Sequence, residues 1–83
     1  MPNKVADKVK EIISEKFGLP ETRITYDASF LEDFKVDSLD VYELITEIEE
    51  VFECTIPEGE AEKLTTVGSL INYVRKNSGF NYF

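Results

Sequence analysis

The chain is expected to be all-α, a small bundle of three main helices plus one short helix, with a long loop between the first two. Three observations lead there. Apolar residues recur at spacings of three and four in three separate segments, glycine, proline and hydroxyl residues punctuate those segments, and no stretch alternates with the period of two that a half-buried strand requires.

The first helix spans Val5 to Phe17, where Val5, Val9, Ile12, Ile13 and Phe17 make an apolar stripe with charged residues between them. Gly18 suits the left-handed position just past its end, and Pro20 prevents continuation. From Glu21 to Val36 periodicity is lost. Thr25, Asp27 and Ser29 are turn formers, yet Ile24, Phe30 and Leu31 are too apolar for a free linker, so this loop is expected to be pinned to the core by those three residues. The second helix starts near Asp37-Ser38 and runs to about Phe52. Val41, Leu44, Ile45, Ile48 and Phe52 form its apolar stripe, and Asp40, Glu43, Glu47 and Glu50 form a second stripe expected to face away from the bundle. After Ile56-Pro57 comes a short acidic turn or helix, Glu58 to Lys63. A threonine at 65 or 66 then caps a last helix carrying Val67, Leu70, Ile71 and Val74, with Arg75 and Lys76 in the final turn where the helix dipole favours cations. The ending Gly79-Phe80-Asn81-Tyr82-Phe83 is unusually aromatic and reads as a loose tail over 78–83 that folds back on the bundle or docks a partner.

Eighty-three residues suffice for one domain, 1–83, but a chain this short buries only a little over about 60% of the surface its unfolded form exposes, so the core is thin. No apolar run approaches the roughly 18 residues of a membrane span, and the first residues lack a basic-then-apolar leader pattern. A single cysteine, Cys54, precludes an internal disulfide and reads as a buried, inert thiol; together these point to the cytoplasm.

Histidine is absent, which removes the Ser-His-Asp and Cys-His nucleophile arrangements and the common zinc sites. A bundle this small also offers little room for the dry cleft that a Ser-Lys or paired-carboxylate mechanism needs. The chain is therefore read as no enzyme. Its net charge of −8 is concentrated: from Asp27 to Glu62 there are thirteen acids and one base, Lys35, leaving the rest of the chain net positive. That segment repels nucleic acid and anionic membrane and attracts a basic protein patch. Carboxylates cluster at Glu32, Asp33, Asp37 and Asp40 and again at Glu49, Glu53 and Glu58, but the twelve-residue calcium-loop spacing is missing, so weak relief of repulsion is expected and no dedicated metal site.

Asp37-Ser38-Leu39-Asp40 stands where the long loop meets the acidic helix. As a cap, Asp37 and Ser38 are favoured residue types and Asp40 stabilises the first turn. As a modification site, a hydroxyl on the first turn would place a phosphoester before unpaired backbone N–H groups and the positive end of the dipole, with Asp37 and Asp40 opposing the added charge. The residues alone leave both readings open.

The stretch Phe30-Leu31-Glu32-Asp33-Phe34-Lys35-Val36-Asp37-Ser38-Leu39-Asp40, followed in order by Glu43-Leu44, Ile48-Glu49-Glu50-Val51-Phe52, Ile56-Pro57 and Ala61-Glu62-Lys63-Leu64-Thr65-Thr66-Val67, resembles the acyl carrier proteins over almost the whole chain. The resemblance implies that Ser38, flanked by Asp37 and Leu39, is loaded with 4′-phosphopantetheine from coenzyme A by a magnesium-dependent transferase, and that acyl groups ride on the arm as thioesters. It implies that Asp37, Asp40, Glu43, Glu47 and Glu50, with apolar help from Leu39 and Tyr42, meet basic patches on the phosphopantetheinyl transferase, acyl ligases, synthases and other transferases. It further implies a monomer serving fatty-acid or lipid synthesis or a related specialised pathway. An unmodified helical interaction module and a carrier of amino-acyl or polyketide intermediates are the competing readings. The chain departs from the family at Lys35, where glycine is usual, and this is expected to cost the loop its left-handed freedom and to bring a positive charge near Ser38. Tyr42 and Thr46 replace common aliphatic residues, and the aromatic tail is not a usual family ending.

Overall fold

The structure is a computed structural model describing residues 4–77, so the aromatic tail lies outside the described residues. The first helix, α1, spans Lys4–Phe17. It buries Val5, Val9, Ile12 and Ile13 along one face and half-buries Phe17. Gly18 takes a φ of 66°, and the Leu19 N–H reaches back to the Ser14 carbonyl at 3.1 Å, which satisfies an end carbonyl that the helix leaves unpaired.

The long connection carries more structure than its lack of periodicity suggests. After Pro20 the chain makes a single 3-10 turn, Glu21–Arg23, with Arg23 N–H donating to the Pro20 carbonyl and Ile24 N–H to that of Glu21, both at 3.0 Å. Ile24, Ala28 and Phe30 are buried, which pins the loop as expected. Leu31 does not join them: it is 53% exposed, because Phe30 takes the inward position and its neighbour is turned outward.

The acidic helix α2 spans Ser38–Phe52 and sends Leu44, Ile45, Ile48 and Phe52 into the core. It ends at Glu53, a non-glycine residue at φ 51°, with Cys54 N–H bonded to the Glu49 carbonyl at 3.1 Å. The Glu49 carboxylate also accepts the Ile56 N–H at 2.7 Å, so this one residue fastens both the end of α2 and the turn that follows. The short helix α3 is limited to Glu58–Ala61 after Pro57; Glu62 and Lys63 form a turn instead of its last residues, tightened by Lys63 N–H to Glu60 and Leu64 N–H to Ala61.

The last helix, α4, spans Val67–Asn77 and buries Val67, Leu70, Ile71 and Val74. Thr66 is its cap: the Ser69 N–H donates to Thr66 Oγ1 at 3.2 Å and the Thr66 N–H to Ser69 Oγ at 3.1 Å. Two more of its free N–H groups go to the long loop, Val67 to the Ala28 carbonyl at 3.0 Å and Gly68 to that of Tyr26 at 2.8 Å, while Phe30 N–H bonds the Thr65 carbonyl at 3.1 Å. A β-bridge between Ser29 and Thr66 lies within this stitch. α1 packs against α2 and α4 over one core, and each fully buried Leu, Ile or Phe in it is worth about 1.5–3 kcal/mol in area removed from water.

Candidate functional site

The approach to α2 is built by a compact turn. Ser29 N–H donates to Asp33 Oδ2 at 2.6 Å and Asp33 N–H returns to the Ser29 carbonyl at 2.9 Å; the Phe30 and Phe34 rings meet edge to face at 5.9 Å. Lys35 then adopts φ 55°, so the expected loss of left-handed geometry does not occur: the chain keeps the turn and a lysine bears the conformational cost. Val36 N–H closes the segment on the Phe30 carbonyl at 3.4 Å.

Asp37 is extended, at φ −75° and ψ 158°, and caps α2. Its N–H donates to Asp40 Oδ2 at 3.2 Å, the return limb of a capping box, and its carbonyl accepts the Val41 N–H at 3.1 Å. Capping thus falls to Asp37 and Asp40. Ser38, the first helical residue, is exposed, and among the described residues nothing hydrogen-bonds its hydroxyl. The serine is released from the capping role and presents a free oxygen at the positive end of α2.

Beside Ser38 opens a pocket of about 200 Å³ between α2 and the α3 region, floored by Phe30, Val41, Ile45, Ala61 and Leu64. Leu31, Tyr42, Glu62 and Thr65 complete its wall. Nothing in the sequence marks this pocket, because the distance between α2 and a four-residue helix has no periodic signature. Leu31, displaced from the core, finds its place here.

Of the remaining residues expected at a partner surface, Leu39 is 68% and Tyr42 41% exposed, close to the serine in sequence and on the same helix. The acidic stripe is less uniformly outward than expected. Glu43 and Glu50 are exposed, Asp40 and Glu47 are half-buried, and Lys16 of α1 reaches Glu43 and Glu47 at 3.7 and 4.0 Å. Cys54 is half-buried, not fully buried; burial pushes its thiol up, and the Glu49 carboxylate adds to the shift, so the group stays protonated. Among the described residues no group of three or more carboxylate or cysteine side chains converges as a metal site, and no helix is long and apolar enough to cross a membrane.

The site fits a covalent phosphopantetheine arm: an unencumbered hydroxyl, a helix start that favours a phosphoester, and an adjoining apolar recess. The family model described as the phosphopantetheine attachment site matches residues 7–74. The acyl carrier protein of Borrelia garinii subsp. bavariensis is 44% identical over 77 residues, covering 93% of this chain and 96% of that protein. Acyl carrier proteins from two strains of Borreliella burgdorferi match to the same extent. On the strength of that match, spanning loop, acidic helix and closing helix alike, the chain belongs to the acyl carrier proteins, which carry acyl groups on covalently attached 4′-phosphopantetheine.

Proposed function

We propose that Ser38 is the attachment residue, and the observation that carries this reading is its exposed hydroxyl, free of hydrogen bonds among the described residues, on the first turn of α2. In loading, Ser38 Oγ gives up its proton and forms a phosphoester, while the bond to the rest of coenzyme A breaks. The arm supplies the thiol that holds the acyl group. The chain's own residues supply position: Asp37 and Asp40 keep α2 starting at the serine, and the α2 N–H groups face the phosphoester. Presentation from one tether replaces diffusion of a free thioester by a high effective concentration at each enzyme, and the carrier performs none of the chemistry.

Partners with basic patches, the phosphopantetheinyl transferase first among them, dock on Asp37, Asp40, Glu43, Glu47 and Glu50, with Leu39 and Tyr42 as apolar contacts beside the serine. Each exposed ion pair is worth about 0.2–1 kcal/mol, which suits a carrier that must leave each partner quickly. The cargo is a hydrocarbon acyl chain from fatty-acid or lipid synthesis; the predominantly apolar lining of the pocket next to Ser38 supports that over an amino-acyl group. The protein works as a single domain, a monomer in the cytoplasm.

Peptide mapping tests the assignment. Trypsin cuts after Lys35 and Lys63, so a loaded chain is expected to carry its phosphopantetheine on the fragment 36–63, with the fragmentation series placing it on Ser38. Modification on any other fragment, or on Thr46 or Thr55, would overturn it.

A further inference from the structure

The partner surface proposed above includes Glu43 and Glu47, one helical turn apart on α2, and a cation already sits on that pair. Lys16 Nζ, from α1, lies 3.7 Å from Glu43 Oε1 and 4.0 Å from Glu47 Oε1. The Lys16 side chain is only 23% exposed whereas the two carboxylates keep 58% and 44%, so the stem is covered and the head reaches outward to them. Asp37, Asp40 and Glu50 make no ion pair among the described residues. The acidic surface is thus in two parts: one pair within ion-pairing distance of a lysine of this chain, and a remainder with no lysine or arginine partner among the described residues.

We propose that Lys16 is an internal competitor for the partner's base. In the free carrier it occupies the Glu43–Glu47 pair, and a partner's cation reaches that pair only by displacing it. Lys16 therefore weakens docking by partners that use Glu43 and Glu47 and leaves unchanged those that read only the serine end of α2. Arginine is the partner residue best suited to win the exchange, since its planar fork makes two parallel N–H···O bonds to a carboxylate where the Lys16 ammonium acts as a point charge. The inference rests on the docking surface of the preceding subsection and adds a residue outside α2 that sets partner preference.

Binding of a basic phosphopantetheinyl transferase to the unloaded carrier, measured by fluorescence anisotropy at low salt without coenzyme A, tests it. Lys16→Gln, and Lys16→Met to retain the packed stem, are expected to tighten binding about two- to fivefold, the worth of one exposed ion pair. Lys8→Gln removes the same charge from α1, where Lys8 pairs with Glu11, and is expected to change binding less than either. On a Glu43→Gln/Glu47→Gln background the Lys16 substitutions are expected to have no effect. Equal gains from Lys16→Gln and Lys8→Gln, weaker binding by both Lys16 variants, or a Lys16 effect that persists on the neutralised background would overturn the inference while leaving the docking surface intact. Absence of binding by every variant would overturn both, and loading of Ser38, read separately on the same preparations, would be untouched by any of these results.

Discussion

The Tyr26 carbonyl accepts the Gly68 N–H at 2.8 Å, and the same tyrosine lays its ring over Gly68 and donates its hydroxyl to Asn72 Oδ1 at 2.6 Å. A Cβ at position 68 would fall well inside contact distance of the ring and 2.8 Å from the Tyr26 carbonyl oxygen. This contact seats the long loop on α4 and thereby holds the turn that delivers Ser38.

Gly68→Ala is accordingly expected to destabilise the protein. Overpacking costs about 1–3 kcal/mol, of which better helix propensity returns at most about 1. A net loss near 1 kcal/mol lowers Tm by about 4–8 °C in a domain of this size. An unchanged or raised Tm would show that Tyr26 swings aside freely.

Lys35 at φ 55° invites the opposite substitution. Lys35→Gly should stabilise by about 1 kcal/mol, since the left-handed conformation costs a residue with a Cβ about 1–2 kcal/mol and glycine's extra unfolded-state freedom takes back part of that. Lys35→Ala, which loses the charge and keeps the strain, should give no such gain. Urea denaturation of the three proteins separates strain from charge.

The Cys54 thiol is pushed up, first by burial and then by the Glu49 carboxylate. At pH 8 its alkylation is expected to be slower in the native protein than in urea, and Glu49→Gln, which retains an acceptor for the Ile56 N–H, should accelerate it. In stability the sign is fixed by the raised value: the contribution is whole below the pKa of the unfolded thiol and is lost as pH rises through that of the folded one. Equal labelling rates with and without urea would refute the shift.

Thirteen acids between Asp27 and Glu62 repel one another, and in the described part of that segment only Glu43, Glu47 and Glu60 are held by a lysine within 4 Å. Tm at neutral pH should rise as salt increases from a few to a few hundred millimolar, and rise again with millimolar magnesium or calcium. A flat response would mean that the charges are far enough apart for water alone to screen them.

Much of the bundle was legible because burial follows the helical period. Val5, Val9, Ile12 and Ile13, then Leu44, Ile45, Ile48 and Phe52, then Val67, Leu70, Ile71 and Val74 are all buried. Gly18 announced its capping role by residue type, and the Thr65-Thr66 pair announced a cap that the structure gives to Thr66. What escaped depends on tertiary register or on a conformation the residue type does not advertise. Residue type does not mark Lys35 as left-handed, and the glycine usual there in the family pointed to a freedom lost where the chain in fact keeps the turn; Leu31 carries the same apolar label as Phe30 yet faces the solvent and the pocket rim. Glu49 reads as one more surface acid, although it bridges forward to Ile56. The Lys16 contact depends on how α1 and α2 are rotated about each other, and the recess behind Ser38 on how the α3 region and the long loop are set against α2. At the site itself, the capping and attachment readings of Asp37-Ser38 prove compatible: Asp37 and Asp40 perform the capping, and the serine is left free.

Whether Ser38 holds the arm is read from the intact mass of the protein. Wild type, Ser38→Ala and Thr46→Ala are incubated with coenzyme A, magnesium and a broad-specificity phosphopantetheinyl transferase, with circular dichroism confirming that each is folded. Wild type and Thr46→Ala are expected to gain one phosphopantetheine and Ser38→Ala none. A gain on Ser38→Ala, or none on folded wild type, would contradict it and return Ser38 to the first turn of a helix in an interaction module.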